Sequence, residues 1–141
     1  MDLSPEARRL LEEPNLAHFV TLMKDGSPQV TPVWVDYDGT HVLINTAEGR
    51  QKPRNLARDP RVALSVADRN NPQRYVQVRG KVVEATHEGA FEHISKLAKK
   101  YNGPDAQYPR REGEQRVLVK ILPEHVQERF PTPRHSSSAQ F

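Results

Sequence analysis

The chain has 141 residues, with 21 basic and 18 acidic side chains and a formal net charge of +3, which fits one domain with a small core. It contains no cysteine, so disulfides, thiolate metal sites and a cysteine nucleophile are excluded. No apolar run reaches the ~18 residues of a membrane span, and Met1-Asp2-Leu3-Ser4 shows neither the basic nor the apolar region of a signal peptide; the expectation is a cytoplasmic protein without a membrane partner.

The first element is a helix opening at Ser4-Pro5-Glu6. Serine is a good N-cap, proline a good first residue, and an acid suits the positive end of the helix dipole. Ala7, Leu10 and Leu11 give it one apolar side, and Pro14 closes it. Leu16 to Met23 reads as a strand, Lys24-Asp25-Gly26-Ser27 as a hairpin turn, and Pro28 to Tyr37 as the return strand. Val30, Pro32, Trp34 and Asp36 alternate with Gln29, Thr31, Val33 and Val35. Pro32 cannot donate to a ladder, so it marks an edge, a bulge or a break, and a break would free backbone groups for a ligand. Trp34 reads as core packing.

Asp38-Gly39 is a second hairpin turn, leading into a strand from Thr40 to Thr46. The next stretch, Asn45 to Arg61, is the one around which the chain is organised. Pro53 suits a first helical position, and Asp59-Pro60 ends the helix. Arg50 and Lys52 then stand just before a helix N-terminus, where free N–H groups and the dipole favour a phosphate or carboxylate. The alternative is a solvated basic helix. Arg50, Lys52, Arg54, Arg58 and Arg61 face only Asp59 there. No aromatic stacking platform accompanies them, so a small anionic ligand suits the cluster better than nucleic acid.

Arg61 to Ala67 is the fourth strand, Asp68 to Pro72 a loop, and Arg74 to Ala85 a long alternating strand in which Gly80 signals a bulge or a close backbone approach. Thr86 is expected to cap a helix from Glu88 to Lys100, with Ala90, Phe91, Ile94, Leu97, Ala98 and Tyr101 at helical spacing and Gly103-Pro104 as its stop. Asp105 to Glu114 is loop-like. Arg116 to Leu122 is a sixth strand, Pro123-Glu124-His125 a turn, and Val126 to Phe130 a short last strand. This pattern predicts one domain over residues 1–130 and a flexible tail over 131–141. It is an α+β protein on an antiparallel sheet of six to seven strands with two to three peripheral helices, most simply closed into a barrel that removes exposed edges.

Hard chemistry is missing from the sequence. None of the six histidines pairs at i,i+4 in a zinc pattern. There is no Gly-x-Ser-x-Gly elbow, no phosphate-binding Gly-x-x-x-x-Gly-Lys loop and no Gly-x-Gly-x-x-Gly fingerprint. An enzyme of this kind would draw its reactivity from a bound cofactor.

Thr31-Pro32-Val33-Trp34, Asn45-Thr46, and Arg50-Gln51-Lys52-Pro53-Arg54-Asn55-Leu56 followed by Asp59-Pro60-Arg61-Val62 resemble the split β-barrel flavin and deazaflavin oxidoreductases of the pyridoxamine 5′-phosphate oxidase-like superfamily. The match is closer to the branch using coenzyme F420, a 5-deazaflavin. The resemblance spans about residues 4–130 and implies a split β-barrel homodimer with cofactor at the interface. It implies that Arg50 and Lys52 meet the cofactor phosphate, that Thr46 offers a hydroxyl to the phosphate or the ribityl chain, and that Gln29, Val30, Thr31, Pro32 and Val33 lie along the ring. Tyr75, Gln77 and Arg79 would come from the partner subunit, while Arg54, Arg58 and Lys24 would line a groove for the acidic tail of coenzyme F420. The implied function is hydride transfer from reduced coenzyme F420 to a small unsaturated or conjugated substrate. The alternatives are an FMN-binding oxidase or reductase of the same fold, and a non-enzymatic flavin- or deazaflavin-binding protein. The C-terminal Arg-Leu-x-Pro ending of pyridoxamine phosphate oxidase proper is absent.

Overall fold

The structure, a computed structural model, describes residues 2–131. The expected tail, 131–141, lies outside the described residues apart from Pro131. In chain order the elements are α1 (Pro5–Glu12), β1 (Ala17–Leu22), β2 (Pro28–Val33), β3 (Asp36–Tyr37), β4 (Val42–Ala47), α2 (Gln51–Arg58), β5 (Arg61–Asp68), β6 (Asn71–Thr86), α3 (Ala90–Asn102) and β7 (Arg116–Arg129). The seven strands form one sheet in the order β2-β1-β5-β6-β7-β4-β3, with every pairing antiparallel. It curls into a half-barrel carrying three helices, the α+β split barrel expected from the sequence.

Two expectations about strands are corrected. Pro28 to Tyr37 is not one strand: pairing with β1 ends at Val33, and Asp36-Tyr37 pairs with β4 at the other end of the sheet. Trp34-Val35 is the backbone break between them. Pro32 thus stands on an edge strand, two residues before that break. Further along, Pro123-Glu124-His125 does not turn. β7 runs through it for 14 residues, because the register shifts so that Gly80 faces Pro123 while Arg79 faces His125. A proline fits this bulge, where the regular ladder is already interrupted. The sheet also does not close into a full barrel; β2 and β3 remain as its two edges.

The core follows strand alternation. Phe19 of β1, Leu64 and Val66 of β5, Val76 and Val78 of β6, and Val119 and Ile121 of β7 are buried on one face. α1 lays Ala7, Leu10 and Leu11 on that cluster. Its Ser4 cap accepts from the Ala7 N–H at 3.1 Å, as the sequence predicts. α3 packs on β4 and β7 with Ala90, Ile94, Leu97 and Ala98 buried. Its start is corrected: Gly89 occupies the cap position, and the Thr86 hydroxyl instead accepts from the Glu88 N–H at 3.1 Å. Gly80 makes the expected close approach, since an added Cβ would meet the Leu122 carbonyl oxygen at 2.1 Å.

A cation-lined cavity beside the start of the second helix

Thr46 is the next-to-last residue of β4, and the chain turns through Glu48-Gly49 into α2. Arg50 occupies the cap position with extended backbone and no side-chain cap bond, and Gln51, Lys52 and Pro53 form the first turn. The helix therefore begins two residues before the expected Pro53. Proline is still tolerated there, because first-turn N–H groups have no intrahelical partner. No acidic residue occupies this turn, so nothing in it offsets the positive end of the dipole. Asn55 anchors the helix from beneath: it is fully buried, donates to Thr21 Oγ1 at 2.9 Å, and accepts from Gln51 and Arg58, each at 2.8 Å.

This turn opens on a cavity of about 350 Å³. Its lining combines the polar Asn45, Thr46, Arg50, Lys52, Tyr108 and Arg116 with the apolar Leu16, Pro32, Val33, Trp34 and Ile94. Burial, reinforced by the Arg50 charge, pulls the Lys52 ammonium below its ordinary range. Burial likewise lowers Arg116. Arg116 is 7% exposed; its Nε donates to Asn45 Oδ1 at 2.9 Å and its Nη1 to the Tyr108 hydroxyl at 3.0 Å. Glu114 is the carboxylate that holds the arginines together, 3.9 Å from Arg50, 3.5 Å from Arg111 and 3.6 Å from Arg116. Lys52 has no acidic partner among the described residues. An incoming phosphate would relieve the repulsion between Lys52 and Arg50.

Of the residues expected at the site, Pro32, Val33, Thr46, Arg50 and Lys52 converge on this cavity. Gln29, Val30 and Thr31 lie further along edge strand β2. There Val30 is 58% exposed, and Thr31 Oγ1 is a buried atom with no hydrogen-bond partner. Arg54 stands on the outer side of α2 with Nη2 3.3 Å from Gln51 Oε1. Arg58 is committed to Asn55 and, at 3.4 Å, to the Leu22 carbonyl. Tyr75, Gln77 and Arg79 lie on β6 and do not line the cavity of their own chain; Gln77 and Arg79 border a separate concavity with His125. Trp34 is corrected: it is half-buried and forms a wall of the cavity. Sequence reasoning missed Tyr108, Arg116 and Asn45. For Arg116 the one available signal was an arginine heading an apolar strand; Tyr108 lies in a loop that carried none.

Behind the apolar wall, α3 grips the backbone break. Asp36 is 7% exposed, with Oδ2 3.4 Å from His93 Nε2 and 3.4 Å from Lys96 Nζ. Burial alone would raise its carboxyl. The His93 contact, the Tyr37 N–H and the charges of Lys96 and Lys100 outweigh that and hold it at about 2. Lys100 donates to the Val35 and Leu11 carbonyls at 2.6 and 2.5 Å, and burial draws its ammonium down to about 8.

An open antiparallel half-barrel, with a cavity lined by the cationic start of α2 together with apolar residues, defines a split-barrel protein. The family profile described as pyridoxamine 5′-phosphate oxidase matches residues 3–130, and the chain belongs to that family. A solved structure named F420 reductase is similar, with 34% identity, a TM-score of 0.79, and 89% of this chain and 98% of that one covered. A conserved hypothetical protein of Mycobacterium tuberculosis shares the fold at 24% identity and a TM-score of 0.72, with 90% and 84% covered. HupZ of Group A Streptococcus shares it at 19% identity and a TM-score of 0.64, with 89% and 93% covered. No curated protein matches the chain. No helix among the described residues is long and apolar enough to cross a membrane.

Proposed function

We propose that the chain is an oxidoreductase that binds coenzyme F420 in this cavity and passes a hydride from the reduced coenzyme to a small unsaturated or conjugated organic substrate. The observation that carries this reading is the union, in one cavity, of Lys52, which lacks an acidic partner among the described residues, with the Pro32-Val33-Trp34 wall. The similarity to an F420 reductase supports the choice of coenzyme. Arg50, Lys52 and Thr46 would hold the phosphate, with the N–H groups at the start of α2. Pro32, Val33 and Trp34 would face the planar ring, with Gln29, Val30 and Thr31 continuing that edge; the orphaned Thr31 hydroxyl suits a polar ring edge. The bound coenzyme supplies the hydride. The chain's own part is to orient the ring, exclude water from one side and leave room for an acceptor. An assembly of two copies would account for Tyr75, Gln77 and Arg79, which do not line this cavity in their own chain and would border the partner's.

The second reading, an FMN-binding oxidase or reductase, rests on the same cations, which serve a terminal phosphate equally well. Paired titrations of the purified protein with coenzyme F420 and FMN test the choice. Preference for coenzyme F420 is expected. Preference for FMN moves the protein to the flavin reading, and binding of neither at micromolar level removes both. Turnover of the reduced coenzyme with an acceptor separates a reductase from a carrier.

A further inference from the structure

We infer that Tyr101, on the last turn of α3, is a positioning residue that fixes Trp34 as the wall of the cavity. Tyr101 lies outside the cavity lining and is absent from the set of residues expected to bind cofactor. It nevertheless meets the break at two points and the loop before β1 at a third. Its hydroxyl donates to the Asn15 carbonyl at 2.6 Å. The same oxygen accepts the Val35 N–H at 3.0 Å. Its ring stacks on the Trp34 indole, with centroids 5.2 Å apart and planes 9° from parallel. Asn15 is itself locked, 2% exposed, donating to the Leu10 carbonyl at 2.9 Å and accepting the Arg69 N–H at 2.9 Å.

Trp34-Val35 belongs to no strand, so sheet pairing does not hold it. The Val35 N–H would have no ladder partner without the Tyr101 oxygen, and an unpaired buried N–H is costly. Val35 is fully buried, which fixes one end of the dipeptide. Lys100, the neighbour on α3, holds the Val35 carbonyl. Backbone and indole are thus both set from α3, across a sequence gap of 66 residues. A flat stack constrains the indole plane more tightly than apolar packing would. Burial pushes the Tyr101 phenol up to about 12, so it stays protonated and keeps donating to Asn15. Affinity for a planar ring then depends on a residue that does not touch the ring.

The inference deepens the proposed function, and its test separates the two. Trp34 is the single tryptophan, so fluorescence of the ligand-free protein, excited at the red edge beyond tyrosine absorption, reports the indole alone. Tyr101→Leu is expected to raise acrylamide quenching about twofold and to weaken coenzyme F420 binding about tenfold, the size of a typical coupling between touching residues. In a Trp34→Ala background the same change is expected to leave coenzyme F420 affinity nearly unaltered. Unchanged quenching in Tyr101→Leu, or an equal loss of affinity in both backgrounds, overturns the inference. Failure of the wild-type protein to bind coenzyme F420 overturns the proposed function instead, while quenching still decides the role of Tyr101. If Tyr101→Leu does not fold, Tyr101→Phe and Lys100→Met, each removing one tie to Val35, are expected to raise quenching in the same direction.

Discussion

Lys52 and Asp36 show how burial acts on a charge with and without partners. Lys52 is half-buried beside Arg50 with no acid to offset it, a state that favours an incoming anion. Lys52→Ala is expected to weaken coenzyme F420 binding by about 1.5–3 kcal/mol, the range for a charge-assisted contact. A fluorescence titration checks this, and unchanged affinity removes Lys52 from the site. Asp36 is the opposite case, buried but surrounded by His93, Lys96 and the Tyr37 N–H. Its folded value of about 2 lies below the ordinary 3.8. The unfolded chain therefore takes up the proton first. The contribution is present above pH 4, is lost as the pH falls through 2, and amounts to about 2 kcal/mol. Urea midpoints at pH 5 and pH 2.5 are expected to differ in that direction, and Asp36→Asn is expected to flatten the difference.

At the scale of elements, two places in the sheet do what regular strands cannot. The break after Val33 frees Trp34 and Val35 from the ladder and hands them to α3. The bulge at Gly80 bends β6 and β7 while bringing the two backbones into contact. The Leu122 carbonyl that would meet a Cβ at residue 80 is backbone in the middle of a strand, so it has little room to give. Gly80→Ala is expected to destabilise the protein by about 1–3 kcal/mol, as overpacking does. Denaturant unfolding would show this as a lower midpoint with an unchanged slope. A wild-type midpoint would mean that β7 shifts freely. The start of α2 needs its support as much as its charge: Asn55 ties it to Thr21 on β1, so the turn carrying Arg50 and Lys52 is held against the sheet.

For the whole molecule, the split barrel leaves edges at β2 and β3 and places the β6 residues Tyr75, Gln77 and Arg79 away from the cavity of their own chain. Under the proposed function those residues act in a second copy. Sedimentation equilibrium is expected to show a dimer, and Arg79→Glu to weaken both dimerisation and coenzyme F420 binding. A monomer that binds coenzyme F420 at full affinity would remove the β6 residues from the site. The basic run itself scatters, since Arg61 pairs with Asp59 at 2.8 Å and Arg58 is taken up by Asn55, leaving Arg50 and Lys52 facing the cavity.

Local chemistry decided what the sequence could determine alone. The capped α1, the Asp-Gly turns, the alternation of β5 and β6, and the tight spot at Gly80 follow from neighbours within a few residues. So does the cationic start of α2, because Arg50, Lys52 and Pro53 are close neighbours in the chain. Tertiary structure decided the rest. Whether Pro28 to Tyr37 is one strand depends on which partners lie beside it, and β1 and β4 claim its two halves. Pro123 reads as a turn until Gly80 is placed opposite it. Trp34 reads as core until the cavity is seen on one side and Tyr101 on the other. Arg116 and Tyr108 join the site only because β7 pairs with β4, setting Arg116 opposite Ala47. A side chain's role in a site depends on what is brought across to it, and residues distant in sequence are brought together by the fold.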